Sequence, residues 1–138
     1  MDGLTGGDED GSVLFLTIGY ALLAIALVLV CVDATSLYLA QKRVDAAADA
    51  VAIAAADGFR LTVADGRAVA ALSSEDVREQ ADAMVDAIGT VQLVDADTDD
   101  GASARVTVAT IWRPPVMSLF VPDGVEITAS ATSRTAVG

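Results

Sequence analysis

The chain has 138 residues, of which 54% are hydrophobic but only 4% aromatic, and its formal net charge is −12. A chain this acidic would repel a phosphate backbone, so the composition argues against nucleic-acid binding. The absence of histidine and the single cysteine exclude zinc enzymes, Ser-His-Asp hydrolases, Cys-His proteases and an internal disulfide. The composition instead favours a membrane-attached structural protein with no enzymatic activity, cofactor or small-molecule substrate.

The N-terminal part of the chain divides by charge into an acidic stretch and an uncharged one. Residues 1–12 carry four acids and no base, and we interpret them as an acidic leader or tail. Residues 13–32, VLFLTIGYALLAIALVLVCV, contain no charged side chain. A helix of twenty residues is about 30 Å long, which matches the hydrocarbon thickness of a bilayer. This run therefore predicts a transmembrane helix, with a buried core helix or a secretory signal as weaker alternatives.

A helical extension is predicted to continue from the membrane helix over residues 33–57. This segment contains neither Pro nor Gly, is rich in strong helix formers and is followed by Gly58, a stop signal. Asp33 is the first charge after the uncharged run and is therefore the acid at the membrane border. Two interpretations are open for Asp33: a polar contact between helices in an assembly, or an acid at the lipid headgroups that needs no partner.

Small apolar side chains recur at helical spacing along this extension. The stripe comprises Val44, Ala47, Ala48, Val51, Ala54 and Ala55. Small side chains let a partner backbone approach closely, so the stripe is predicted to pack against another subunit or against the chain's own sheet. The candidate helix-packing residues are Val44, Ala48, Val51 and Ala55. On a neighbouring, wetter face, Lys42 is predicted to pair with Asp45.

Several short motifs follow one another in a fixed order through residues 11–57. They are Gly11-Ser12, the uncharged helix, Val32-Asp33, Leu37-Tyr38-Leu39-Ala40, Lys42-Arg43 and Ala47-Ala48-Asp49-Ala50. In order and spacing this string resembles the N-terminal module of TadE/TadG-like proteins of the Tad (Flp, tight-adherence) pilus machinery. The resemblance implies a pilin-like or minor-pilin-like subunit, and it makes Gly11 and Ser12 the candidate processing site. The partners it implies are other pilus subunits and the inner-membrane assembly platform.

The beginning of the C-terminal region, residues 58–138, contains one strand-like piece and one helix. Phe59–Val63 alternates in polarity and ends near the turn signal Asp65-Gly66. A helix is predicted over Ser74–Ile88, where Ser73 or Ser74 is the N-cap and acids occupy the first turn. Gly89 is predicted to end this helix.

Three strand-like runs complete the region. They cover residues 90–94, 104–112 and 125–135, and a short helix or turn is predicted over 116–121. The predicted fold class is α+β: a long membrane-spanning helix that continues into a small head with one or two helices and a roughly three-stranded antiparallel sheet. Such a head is similar to the globular part of pilins, in keeping with the resemblance above.

An acid-rich segment, residues 95–101, lies between the first two of these strands. Its alternating carboxylates, Asp95, Asp97 and Asp99, are a weak calcium alternative because they resemble the first half of an EF-hand loop. Asp100 stands where that loop requires Gly, and Val106 stands where it requires Glu. An exposed hairpin loop is therefore the expected role, and no metal site is predicted.

The sequence thus predicts a non-enzymatic, pilin-like protein of the cytoplasmic membrane, either within a surface pilus or as an assembly factor. The alternative is a single-pass accessory or ligand-binding module that is never incorporated in a filament. The family resemblance implies that the head is extracytoplasmic. The positive-inside rule alone would place it in the cytoplasm, because Lys42 and Arg43 follow the apolar run and no base precedes it.

Overall fold

The computed structural model describes residues 6–134. Residues 1–5 of the predicted leader and residue 135 of the last predicted strand lie outside this range. The elements are α1 (Gly6–Ala56), β1 (Arg60–Ala64), β2 (Arg67–Ala71), α2 (Ser74–Ile88), β3 (Gln92–Asp97), β4 (Ser103–Trp112), a 3-10 turn (Met117–Leu119) and β5 (Val125–Arg134). Strands β3, β4 and β5 form an antiparallel sheet in that order, and β1 and β2 form a separate hairpin. The predicted α+β fold class is confirmed.

Helix α1 is continuous over 51 residues and joins the uncharged run to the head without a break. Its second half packs across β4 and β5 and against α2. The extension contains no Pro or Gly to interrupt the backbone hydrogen bonds, and the helix ends two residues before Gly58. A Cβ at Gly58 would lie 2.6 Å from Cγ of Gln80, so the chain passes close to α2 at this point.

Helix α2 has the predicted bounds because its ends are determined by local chemistry. The N-cap is Ser73, whose hydroxyl accepts a hydrogen bond from the amide of Asp76. Gly89 ends the helix with φ of 74°, and its amide donates to the carbonyl of Val85. This left-handed conformation strains residues that have a Cβ, which explains why the helix ends at Gly.

The core between the helices and the sheet consists mainly of valine and alanine side chains, together with Leu72 and Ile127. The largest fully buried side chains are Val44, Val51, Val77, Val106 and Val108. Alternate residues of β4 and β5 point into this core, so that Val106 lies opposite Ala131 and Val108 opposite Ala129. Because these side chains are small, the helices approach the sheet closely, and changes of volume there are poorly tolerated.

Strand β3 differs from the prediction in both position and register. It covers Gln92–Asp97 instead of residues 90–94, and its pairing with β4 shifts between Leu93 and Asp95. Strict alternation from Leu93 would point Asp95 and Asp97 into the core. The bulge instead brings Ala96 inward, opposite Val106, and leaves Asp95 exposed. Two carboxylates thereby avoid burial, at the cost of an exposed Val94.

The β1–β2 hairpin contains a strand that the sequence analysis did not identify. Asp65 and Gly66 form its two-residue turn with φ of 52° and 80°, as expected for a tight hairpin turn. Strand β2 has the sequence RAVAA, and alanine has a low preference for strands, so the pattern gave little signal. The hairpin is joined to α2 by Arg60, whose Nη2 lies 2.8 Å from Oδ1 of Asp76.

Candidate membrane anchor and assembly surface

The uncharged half of α1 projects from the head and is exposed on every side. None of the most apolar window of this helix is buried, and it is the one helix within residues 6–134 whose length and composition suit a membrane span. Its few polar groups are satisfied locally: the Thr17 hydroxyl donates to the carbonyl of Val13 at 2.8 Å. Cys31 is exposed on this surface. A core helix of a soluble protein would bury such a run, so the exposure is consistent with a lipid or protein environment.

The stripe of small residues in the second half of α1 is buried inside the chain. Val44, Ala48, Val51 and Ala55 are each at most 1% exposed. They pack against the sheet and α2, which was one of the two alternatives for this stripe. The four candidate helix-packing residues therefore leave no surface for another subunit. Ala54 is only half-buried, while Ala52 and Ala56 join the core instead.

Asp33 has a partner that neither interpretation of the sequence identified. Its Oδ1 accepts a hydrogen bond of 3.0 Å from the backbone amide of Val116, in the loop between β4 and β5. One turn further along α1, the hydroxyl of Ser36 accepts a hydrogen bond of 3.1 Å from the indole Nε1 of Trp112. These two contacts attach the head to α1 just after the uncharged run, and both join residues more than 70 positions apart.

Lys42 does not pair with Asp45 as predicted. Its ammonium group lies 5.6 Å from the centre of the Tyr38 ring, a cation–π arrangement along the same helix. Asp45 instead accepts a hydrogen bond of 3.1 Å from Nε2 of Gln41. The amide of Gln41 also approaches the carbonyl oxygen of Thr128 at 3.4 Å, which adds a contact between α1 and β5.

Two of the acids in residues 95–100 accept hydrogen bonds within the head. Asp97 lies in β3 and accepts hydrogen bonds from the hydroxyl of Ser74 and the amide of Thr98. These bonds, the one from Ser74 first, lower the pKa of Asp97. Asp100 accepts from the amides of Ala102 and Ser103, which lowers its pKa.

The weak calcium alternative receives no support from the placement of its three acids. Asp95 lies in β3, 3.8 Å from a guanidinium nitrogen of Arg78. Asp99 follows the strand in the loop, while Asp97 is engaged by Ser74. Within residues 6–134, no three acidic or cysteine side chains are grouped so that they could hold a metal ion.

Asp76, at the start of α2, is a buried carboxylate with two side-chain partners. Its carboxylate accepts hydrogen bonds from the Ser73 hydroxyl at 2.7 Å and from Nε of Arg60 at 3.0 Å. The bond from Ser73, followed by the bond and charge of Arg60, lowers the pKa of Asp76 despite partial burial. This cluster attaches the β1–β2 hairpin to α2 and is structural.

The candidate processing site lies within α1. The structure places Gly11 and Ser12 in its first turns, and a Cβ at Gly11 would meet nothing within 4 Å. Ser12 is exposed. Cleavage at this site stays a prediction.

Residues 11–58 match the family model of Flp pilus-assembly TadE/G-like proteins. No curated protein and no solved structure matches the chain. The matched segment begins at Gly11, contains the whole uncharged run and ends two residues after α1. The match therefore covers the exposed apolar helix and the stripe that supports the head, but not the sheet.

Proposed function

We propose that this chain, whose residues 11–58 match the TadE/G-like family model of Flp pilus assembly and whose apolar helix suits a membrane span, is a membrane-anchored, non-enzymatic, pilin-like or minor-pilin subunit. The observation that supports this proposal is the exposed apolar half of α1, which is continuous with a folded head. Such a helix holds the subunit in the bilayer before assembly and offers an apolar surface to neighbouring subunits afterwards.

The surface proposed to contact other subunits is the exposed run of residues 13–32, not the alanine-rich extension. The stripe of the extension is already buried against the sheet, whereas Leu16, Tyr20 and Leu23 are each more than half exposed. Helix packing through this run would retain the apolar environment that the bilayer provides. The acidic heads would repel one another outside specific contacts, because residues 33–138 contain sixteen acids against eight bases.

The proposed orientation places the head outside the cytoplasm, in keeping with the family. Lys42 and Arg43 lie ten residues beyond the uncharged run, about 15 Å along the helix, in the part that carries the head. Lys42 is engaged by the ring of Tyr38. These two bases therefore lie on the segment of α1 that packs against the head, and their effect on orientation is proposed to be weaker than that of bases flanking the membrane directly.

Photocrosslinking and mechanical shearing would test the proposed role. A photocrosslinking amino acid at Tyr20 in the full-length chain should give crosslinks to other pilus subunits in filaments sheared from the cell surface. The matched control is the same group at Glu79, which is exposed on α2 far from the apolar helix. A chain that is absent from sheared filaments and gives no crosslink from Tyr20 in the membrane would exclude the subunit role and favour the solitary membrane module.

The orientation needs a separate experiment. In a Cys31→Ala background, a cysteine at exposed Glu79 should react with a membrane-impermeant maleimide added to intact spheroplasts. Reaction only after lysis would place the head in the cytoplasm and contradict the proposed orientation.

A further inference from the structure

The loop between β4 and β5 is the most apolar exposed segment of the head. Between Arg113 and Asp123 it reads PPVMSLFVP and contains no charged side chain. At its centre, Leu119 is 89% exposed and Phe120 is 78% exposed. Met117, on the same 3-10 turn, is also exposed. In water this arrangement would leave several large apolar side chains without any contact.

Three contacts between α1 and the sheet determine where this loop lies relative to the bilayer. Gln41 approaches Thr128 on β5, Ser36 meets Trp112 at the end of β4, and Asp33 meets Val116 inside the loop. In the order Gln41, Ser36 and Asp33, these contacts lie progressively closer to the uncharged run of α1. The β4–β5 hairpin therefore points its loop at the membrane, and its open end points away.

The contact with Asp33 gives the height of the loop. Asp33 is the first residue after the uncharged run, so its carboxylate marks the edge of the hydrocarbon. Ser36 lies about 4.5 Å further from that edge, given the rise of an α-helix. Trp112 contacts Ser36 and Val116 contacts Asp33, so the chain comes about 4.5 Å closer to the hydrocarbon edge between these two residues. The 3-10 turn Met117–Leu119 follows Val116 directly. The exposed apolar side chains consequently lie at the level where hydrocarbon meets headgroups.

We propose that the loop over residues 114–122 inserts Leu119 and Phe120 into the lipid bilayer beside α1, forming a second membrane contact. The occupant of this apolar surface is lipid, because the loop is continuous with the exposed apolar surface of the helix and is held at its border. Arg113 and Asp123 flank the loop and are exposed, so their charges remain among headgroups and water. Asp33 is the positioning residue, since it holds the loop through the amide of Val116. Two contacts restrict the tilt of the head against the membrane.

Spin labels can measure the depth of the loop in the full-length protein. In a Cys31→Ala background, a nitroxide is attached at Leu119→Cys after reconstitution into vesicles of phosphatidylethanolamine and phosphatidylglycerol. Lipid insertion predicts that the label collides more with oxygen than with a water-soluble nickel chelate. The matched control is Val63→Cys, an 80% exposed apolar position on the β1–β2 hairpin, which follows the end of α1 opposite to the uncharged run. The label at Val63 should show the opposite preference.

Two results would overturn the proposal. A label at Leu119 that collides with the nickel chelate as freely as the one at Val63 would place the loop in water. A label shielded from both reagents, with spin–spin broadening that disappears when labelled chains are diluted with unlabelled ones, would show that a second copy covers the loop instead of lipid.

The positioning role of Asp33 has its own test. Asp33→Ala removes the acceptor for the Val116 amide and should lower the oxygen preference of the Leu119 label, whereas Asp33→Asn retains an acceptor oxygen and should preserve it. An unchanged depth in Asp33→Ala would show that this bond does not position the loop. The depth measurement does not require a pilus, so its failure is distinguishable from failure of the proposed assembly role.

Discussion

The substitution Ala48→Leu tests whether the small-residue stripe of α1 belongs to the chain's own core. Ala48 is 1% exposed and lies in the cluster where α1 meets the sheet and α2. Leucine adds three carbon atoms at a position that is almost completely buried. The core cluster that contains Ala48 consists mainly of buried valines and alanines, and a close-packed core accommodates added volume poorly.

Overpacking of this kind costs about 1–3 kcal/mol. In a domain of roughly 60–100 residues, each kcal/mol lowers Tm by about 4–8 °C. Ala48→Leu is therefore expected to lower the Tm of the head by several degrees at least. Leucine and alanine differ by only a few tenths of a kcal/mol in helix preference, so the helix itself does not account for such a change.

The assay is thermal unfolding of the full-length chain in detergent, followed by the fluorescence of Trp112. This side chain donates to Ser36 of α1 and so reports on the contact between head and helix. The matched control is Ala46→Leu, on the same segment of α1 but exposed to solvent, which should leave Tm within about a degree.

Equal Tm values for the two variants would refute the intrachain packing. If Ala48→Leu retained a normal Tm but blocked filament formation, the stripe would instead be a surface between subunits. A large loss of stability in Ala46→Leu would likewise contradict the exposure on which the comparison depends.

Three further substitutions test individual contacts of the head. The lowered pKa of Asp76 means that folding favours its ionised form, so its stabilisation is complete above the ordinary value of 3.8 and is lost as the pH falls through the lower folded pKa. In Asp76→Asn, the free energy of unfolding measured by urea titration should therefore fall less steeply below about pH 4 than in the unsubstituted chain. An identical pH dependence in the two proteins would contradict this. Gly124→Ala should destabilise the head by more than Gly66→Ala in thermal melts: both residues have positive φ, but a Cβ at Gly124 would lie 2.7 Å from the carbonyl oxygen of Trp112, whereas one at Gly66 meets nothing. Equal losses would refute the close approach. Trp112→Phe removes the indole hydrogen bond to α1 and should cost about 1 kcal/mol by circular dichroism, and no loss would show that the bond is not stabilising.

Local chemistry made α2 fully predictable from the sequence. Its N-cap at Ser73, the acids of its first turn and the stop at Gly89 are all within a few residues of the ends that they determine. The alternation along β4 and β5 was equally informative, because each strand has one face towards the core and one towards solvent.

The bounds of β3 were not predictable in the same way. Its bulge is defined by the pairing of Asp95 with Thr107 and of Leu93 with Val108, whose partners in β4 are 12 and 15 positions away in the chain. The sequence analysis assigned Asp95 and Asp97 to the loop that follows the strand predicted over residues 90–94. Strand β2 was missed because its alanines carry almost no strand preference, and its pairing with β1 compensates for this.

The sequence by itself determined the elements whose signals are local or periodic: the uncharged helix, its unbroken extension, α2 and the two alternating strands. Only the tertiary structure decided which surface covers the small-residue stripe, that Asp33 bonds to Val116, and that the β4–β5 loop lies beside the end of the uncharged run. The physical reason is that helix and strand formation depend on neighbours within a few residues. A buried contact between distant segments depends on the way in which the whole chain closes on itself, and one short motif does not encode it.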